Sequence, residues 1–251
     1  MNLTSFSEVP IFKEELESTN QYALELIKNG KAKHGIQIFA NHQTQGKGQF
    51  NRTWNSEKGK NILMSIILDI PFLDLSKLFY LNFFASLACY DFFANQGVES
   101  EKLKIKWPND IYFENKKIGG ILIENKIRSH QLSKTVVGIG LNINQESFSS
   151  ELNKASSLKI ITQKDYDLKT LYSHLSTSLY KRFNFLIQNK YSELLNEYTN
   201  QLYLLKQSLS YQEGGIEKKG LLKGVTEKGE LIILTKDGEK YFDFRNIKLL
   251  C

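Results

Sequence analysis

Residues 104–124 read KIKWPNDIYFENKKIGGILIE. Lys104, Ile105, Lys106 and Trp107 alternate polar and apolar, the period-two pattern of a half-buried strand. Pro108 cannot donate to a strand ladder and disfavours a helical residue before it, so the strand stops there. Asn109 and Asp110 carry short polar side chains that suit a turn. Ile111-Tyr112-Phe113 restarts a strand, Glu114-Asn115-Lys116 turns it, and Ile118 to Ile123 returns. The return contains Gly119-Gly120, which a strand tolerates badly unless something must approach its backbone closely. Lys117 stands at the entrance to that bare backbone. The stretch reads either as a hairpin floor for a small ligand with a cation at its edge, or as a bulge beside a surface lysine.

The rest of the chain supplies a body for this hairpin. Its 251 residues suffice for one large core and a small appendage, and 41% apolar content with mixed charges argues for a folded chain. The two cysteines, Cys89 and Cys251, form no disulfide framework and no metal spacing. Cys89 lies in an apolar run and reads as a small core residue. No basic region followed by an apolar block marks a signal peptide, and no apolar run reaches the length of a membrane span. A reducing cytoplasm is the expected compartment. A net charge of +6 favours an acidic partner without saying whether it is a polyphosphate, a nucleic acid or an acidic protein domain.

Before the hairpin, residues 1–17 read as a short extended lead-in, too short for a DNA-binding module. Ser18-Thr19-Asn20-Gln21 then reads as a capping box, with Ala23, Leu24, Leu26 and Ile27 as a helical stripe ended by Asn29-Gly30. Ser18 and Thr19 either cap this helix alone or also present hydroxyls to a polar ligand at its N-terminus. A buried strand over 36–40 leads into NHQTQGKGQFNRTWNSEKGKN, residues 41–61. A structureless loop of about twenty residues is uncommon in a compact domain, and is either functional or a flexible surface segment. Gly46 and Gly48 allow close backbone approach to an anion, Lys47 and Arg52 supply cations, and Trp54 offers a flat face. The GK[ST] ending of a Walker loop is missing.

Asn61 to Asp69 reads as a strongly apolar strand, and Asp74 or Ser76 as the cap of a long buried helix running to about Asn95. After the hairpin, Leu132 to Asn144 reads as a strand whose Gly138 and Gly140 are either bends or a second stretch of bare backbone. Residues 164–188 and 191–204 read as two amphipathic helices. From about Lys206, short strands between turns indicate a small all-β barrel, placing a boundary near residue 205.

Four motifs together resemble the biotin–protein ligase family. They are ESTN at 17–20, QTQGKGQFNRTW at 43–54, KWPNDI with KKIGGILIE at 106–124, and GIGLNIN at 138–144. Their order and spacing are similar to the family's over nearly the whole chain. The resemblance implies an α+β fold: a mixed β-sheet flanked by helices over residues 1–204, and a C-terminal SH3-like barrel over 205–251. It also implies activation of biotin with ATP and Mg²⁺ to biotinyl-5′-AMP, then transfer to one lysine of a biotin carboxyl carrier domain. By the same resemblance Lys117 lies beside the carboxylate and α-phosphate, with Gly46, Lys47 and Gly48 around it, Arg52 on the phosphates and Gln49 in the same loop. Ser18, Thr19, Asn20 and Gln43 bond the ring end of biotin, and Gly119 and Gly120 lie along its bicycle. Trp54 covers adenine, with Asn142 at the base edge. Asn109 and Asp110 fall where the family handles Mg²⁺, nucleotide and incoming lysine, and Asp110 orients that lysine.

The family loop commonly reads GRGRxGRxW, so Lys47, Gln49 and Asn51 are departures. Lysine keeps the charge but loses bidentate geometry, and Gln49 loses a charge that would help retain the adenylate. The helix-turn-helix of repressing members is not seen, so no specific DNA binding is expected, and either a monomer or a homodimer is compatible. A lipoate ligase or lipoyl/octanoyl transferase is the nearest rival, opposed by the GKG loop with its downstream Trp54. A non-catalytic nucleic-acid-binding module, suggested by the basic charge, is supported only by Tyr241, Phe242 and Phe244 near Arg245.

Overall fold

The computed structural model describes residue 6 and residues 9–149 and 154–250. Most of the expected lead-in before residue 9, and Cys251, lie outside the described residues. Strand β1 (Ile11–Leu16) leads to helix α1 (Thr19–Lys28), β2 (Gln37–Gln43), β3 (Ile62–Leu68) and helix α2 (Tyr80–Asn95). The quoted stretch folds as β4 (Leu103–Lys106), β5 (Asp110–Phe113) and the start of β6 (Lys116–Arg128), with Pro108 at the first break. β7 (Gln131–Leu141), α3 (Leu158–Thr162), α4 (Leu168–Ile187) and α5 (Tyr191–Asn200) complete this part. The seven strands form one sheet in the order β1-β2-β3-β7-β6-β5-β4, in which only the β1–β2 pair is parallel. The expected mixed sheet is present.

Strand alternation divides this sheet into two faces. Met64, Ile66 and Leu68 of β3 and Val137, Ile139 and Leu141 of β7 join α2 and α4 in the main core. On α2, Phe83, Phe84, Phe92 and Phe93 are fully buried, each worth roughly 1.5–3 kcal/mol relative to exposure. Cys89 is buried among them, as expected, and burial pushes its thiol pKa up. The opposite face carries Ile38, Ile67 and Val136 under Ala23 of α1. Two and four residues beyond Val136 on that same face stand Gly138 and Gly140.

Two local expectations are corrected, and one short helix is new. α2 begins at Tyr80, and Asp74 instead caps a single turn at Leu75–Lys77, its carboxylate accepting from the Ser76 N–H at 2.7 Å. A short polar side chain this close to the backbone stabilises a local turn as readily as a helix start. α3 went unforeseen because five residues are too few to show a helical period. The 41–61 loop is not structureless: β2 continues to Gln43, and Lys47 bridges Thr53.

Strands β8 (Ser208–Glu213), β9 (Ile216–Val225), β10 (Leu231–Thr235), β11 (Gly238–Phe242) and β12 (Ile247–Leu249) form an antiparallel sheet in the order β11-β10-β9-β8-β12, consistent with an SH3-like unit. Its buried Leu209, Tyr211, Leu222 and Leu231 are contiguous with the main core. The Trp107 indole donates to the Gly229 carbonyl at 2.9 Å, and a side chain at Gly229 would collide with the Phe79 ring. The 104–124 stretch is thereby seated against the C-terminal sheet. Among the described residues no helix is long and apolar enough to cross a membrane.

Candidate active site

A cavity of about 510 Å³ opens on the α1 side of the seven-stranded sheet. Of the residues expected from the sequence, Ser18, Thr19, Asn20, Gln43, Lys47, Gly48, Gln49, Arg52, Trp54, Asn109, Asp110, Lys117, Gly120 and Asn142 line it. Four segments far apart in sequence are thus brought to one place. Gly46 and Gly119 do not line it. Gly46 is buried at the neck of the loop, where a Cβ would lie 2.5 Å from the Trp54 carbonyl oxygen. Gly119 faces the core, where a Cβ would lie 2.7 Å from Leu141 Cδ2. Neighbouring strand residues point to opposite faces, so only one glycine of the pair can serve the cavity.

One end of the cavity is the N-terminus of α1. Ser18 occupies the cap position but makes no side-chain capping bond, and Gln21 bonds Glu25 instead, so the expected capping box does not form. Ser18, Thr19 and Asn20 are each only 4% exposed, and their side chains are turned to the sheet and the cavity. The Thr19 N–H donates to Gln43 Oε1 at 2.7 Å, and Thr19 Oγ1 lies 3.0 Å from the same oxygen. Asn20 Nδ2 donates to Glu124 Oε2 at 2.8 Å and to the Leu122 carbonyl at 3.3 Å. Beneath both sits the Ser65 hydroxyl of β3, 2.7 Å from Thr19 Oγ1 and 2.6 Å from Asn20 Oδ1. Gly138 is the register partner of Ser65 across β3 and β7, and a Cβ there would collide with Asn20 Oδ1.

The other end is charged. Gly48 N–H donates to the Arg52 carbonyl at 2.7 Å and Trp54 N–H to the Gly46 carbonyl at 2.8 Å, closing residues 46–54 into a small hairpin. Gly46 therefore allows the close approach of the loop to itself. Lys47 and Arg52 are exposed and make no ion pair with any described residue. Trp54 lies over bare backbone: a Cβ on Gly140 would sit 2.5 Å from its Cε2, and one on Gly120 3.2 Å from its Cζ3. Lys117 Nζ stands 5.5 Å from the Trp54 ring centroid and 2.6 Å from Asp110 Oδ1.

The backbone around Lys117 is fixed from two sides. Lys117 N–H donates to the Lys154 carbonyl at 2.7 Å, and its carbonyl accepts from Ser156 N–H at 2.9 Å. The Asn142 amide donates to the Ser156 carbonyl at 2.9 Å, and the Asn109 amide donates to the Ile121 carbonyl. Both asparagines thus hold the walls as well as lining them. Tyr198, whose hydroxyl pKa burial pushes up, donates to the Pro108 carbonyl at 2.9 Å and steadies the Trp107–Asp110 turn. Sequence reasoning missed Ser65, Glu124 and the 154–156 segment. It also missed Phe244, Ile247, Lys248 and Leu249, which extend the C-terminal sheet into the cavity wall. A lone serine in the apolar run 62–68 is the one local signal that could have pointed to Ser65.

Fold and site together define a ligase-type pocket: a recess of amides and hydroxyls for a small polar ring, opening onto cations that can hold two anions side by side. The chain belongs to the biotin/lipoate A/B protein ligase family, whose profile matches residues 12–142. It is 30% identical over 247 residues to the bifunctional ligase/repressor BirA of Bacillus spizizenii, an alignment covering 95% of this chain and 73% of that one. It is 25% identical to the biotin–[acetyl-CoA-carboxylase] ligase of Paracoccus denitrificans over 86% of this chain and 90% of the relative. The structure of the Aquifex aeolicus biotin protein ligase in complex with biotin and ATP superposes with a TM-score of 0.78 at 27% identity, covering 97% of this chain and 99% of that one. The latter two are named as biotin ligases, the enzyme class that the four motifs resemble.

Proposed function

We propose that the chain activates biotin with ATP to biotinyl-5′-AMP and transfers the biotinyl group to a lysine of a biotin carboxyl carrier domain. The observation that carries this reading is the convergence of all four motifs on one cavity, with the Lys117–Asp110 pair between its amide-lined and cationic ends. In the first step a carboxylate oxygen of biotin attacks the α-phosphorus and pyrophosphate leaves. Two anions must meet, and Lys117, Lys47 and Arg52 supply positive charge where negative charge concentrates. In the second step the lysine amine attacks the acyl carbon, AMP leaves, and the amine nitrogen loses a proton. Asp110 is the carboxylate placed to orient that amine. Thr19, Asn20 and Gln43 hold the ring end of biotin, while Trp54 covers the adenylate. Residues 1–204 are the catalytic unit and 205–251 the appended one in this reading, and the enzyme works in the cytoplasm.

Among the described residues no group of three or more His, Cys, Asp or Glu could hold a metal ion. A magnesium ion would be held by the substrate's phosphates together with a carboxylate such as Asp110, the usual manner for Mg²⁺. Bound that way it would neutralise phosphate charge. The relatives are named for biotin, which favours this reading over the lipoate alternative. Incubation with ATP, labelled biotin and a biotin carboxyl carrier domain tests it. Label should enter the carrier in a biotin- and ATP-dependent manner, and lipoate or octanoate should not replace biotin. Label transfer from lipoate but not biotin would overturn the assignment.

A further inference from the structure

Ser65 is fully buried in the middle of an apolar strand, and its hydroxyl touches two cavity residues. A hydroxyl has one proton to give and two acceptor positions. The Asn20 amide is oriented by its neighbours, since Nδ2 faces two acceptors, Leu122 O and Glu124 Oε2. Its Oδ1 therefore faces Ser65, and a 2.6 Å contact between those oxygens requires Ser65 to donate. With that proton committed, the 2.7 Å contact to Thr19 requires the Thr19 hydroxyl to donate to Ser65. Gln43 Oε1 then takes only the Thr19 N–H at 2.7 Å. Thr19 Oγ1 and Gln43 Oε1 are left 3.0 Å apart at the cavity wall as two acceptors with no proton between them.

From this chain of protons we infer that Ser65 is a positioning residue that makes Thr19 and Gln43 a paired acceptor for an N–H group of the substrate. The cyclic urea of biotin carries such groups, so the inference rests on the proposed function and deepens it. Gly138 belongs to the same device, because only a residue without a side chain opposite Ser65 leaves room for Asn20 to take the Ser65 proton. Without Ser65, the Thr19 proton turns to Gln43 Oε1 and the acceptor pair closes.

The test is calorimetric binding of biotin and of a biotin methylated on its urea nitrogens. Ser65→Ala keeps the strand's volume nearly unchanged and should weaken biotin binding about ten- to a hundredfold, the scale of leaving buried polar groups unpaired. The preference for biotin over the methylated analogue should shrink by a similar factor. The KM for ATP in pyrophosphate release should move by less than about threefold. Asn20→Ala reverses the same chain from its other end, by freeing Ser65 to donate to Thr19, and should reduce the preference likewise. Unchanged biotin affinity in Ser65→Ala, or equal weakening for biotin and the analogue, would overturn the role given to Ser65. Retention of the full preference in Asn20→Ala would do the same. A wild-type protein that binds no biotin at all would instead overturn the proposed function, and this inference with it.

Discussion

The two ends of the cavity are built on opposite plans. At the α1 end, Thr19, Asn20 and Ser65 are between 0% and 4% exposed, and their side chains are joined to one another and to Glu124 by hydrogen bonds of 2.6 to 2.8 Å. At the loop end, Lys47 and Arg52 project from a small hairpin and make no ion pair with any described residue. Recognition of a neutral polar ring depends on angles and short distances, so its partners gain from being fixed before the ligand arrives. Cations act over a longer range and tolerate motion, and an ion pair already made would have to be broken to receive a phosphate. Lys117 stands between the plans: it is already paired with Asp110, but its side chain remains 33% exposed.

Removing the charge at the junction should have the largest effect. Lys117→Ala should slow pyrophosphate release about a hundred- to a thousandfold, the scale of losing one preorganised donor of positive charge. Its thermal midpoint should stay close to that of the wild type, because the side chain is partly exposed and lies outside the core. Wild-type rates of pyrophosphate release in this variant would remove Lys117 from the mechanism.

Glycine substitutions probe the contrast itself. Gly138→Ala would drive a methyl group into Asn20, and should cost about 1–3 kcal/mol of stability through overpacking, with weakened biotin binding. Gly48→Ala meets nothing closer than 3.5 Å in the unliganded loop, and should alter stability by about 0.5 kcal/mol or less. Denaturant melts of the two variants decide the matter. Equal losses would mean that the loop is as tightly fitted as the recess.

The smallest expected effect is on loop protection. Lys47 and Arg52 are trypsin sites on the open side of the hairpin, whereas Lys58 is tied to Glu14 at 2.9 Å. Trypsin should cut first after Lys47 or Arg52, and biotin with ATP should slow those cuts several-fold while leaving other sites alone. Equal cleavage with and without the ligands would show that the loop does not close over them.

Much of the cavity was legible because its chemistry demands unusual residues. Bare backbone in a strand and cations beside glycines stand out against an ordinary core pattern, and Gly120, Gly138, Gly140, Lys47 and Lys117 all announced themselves in this way. Gly119 stood out equally and lies on the core face, since the registers of β5 and β6 settle which of two adjacent glycines faces the cavity. Ser18 and Gln21 matched a capping box, yet the buried partners of Thr19 and Asn20 took the local geometry elsewhere. Ser65 carried almost no signal, because a serine in an apolar strand becomes meaningful only once its neighbours are known.

The sequence by itself determined the strand and helix periods, the glycine-marked strands, the basic loop and the change to short strands near residue 205. Each of these follows from steric freedom or hydrophobic spacing within a few residues. Tertiary structure alone decided that Ser65 lies under Thr19 and Asn20, that residues 154–156 hold the backbone of Lys117, and that Phe244 to Leu249 complete the wall. Those contacts join residues tens to more than a hundred positions apart. Their geometry is fixed by sheet register and by the seating of Trp107 on Gly229, which no local pattern encodes.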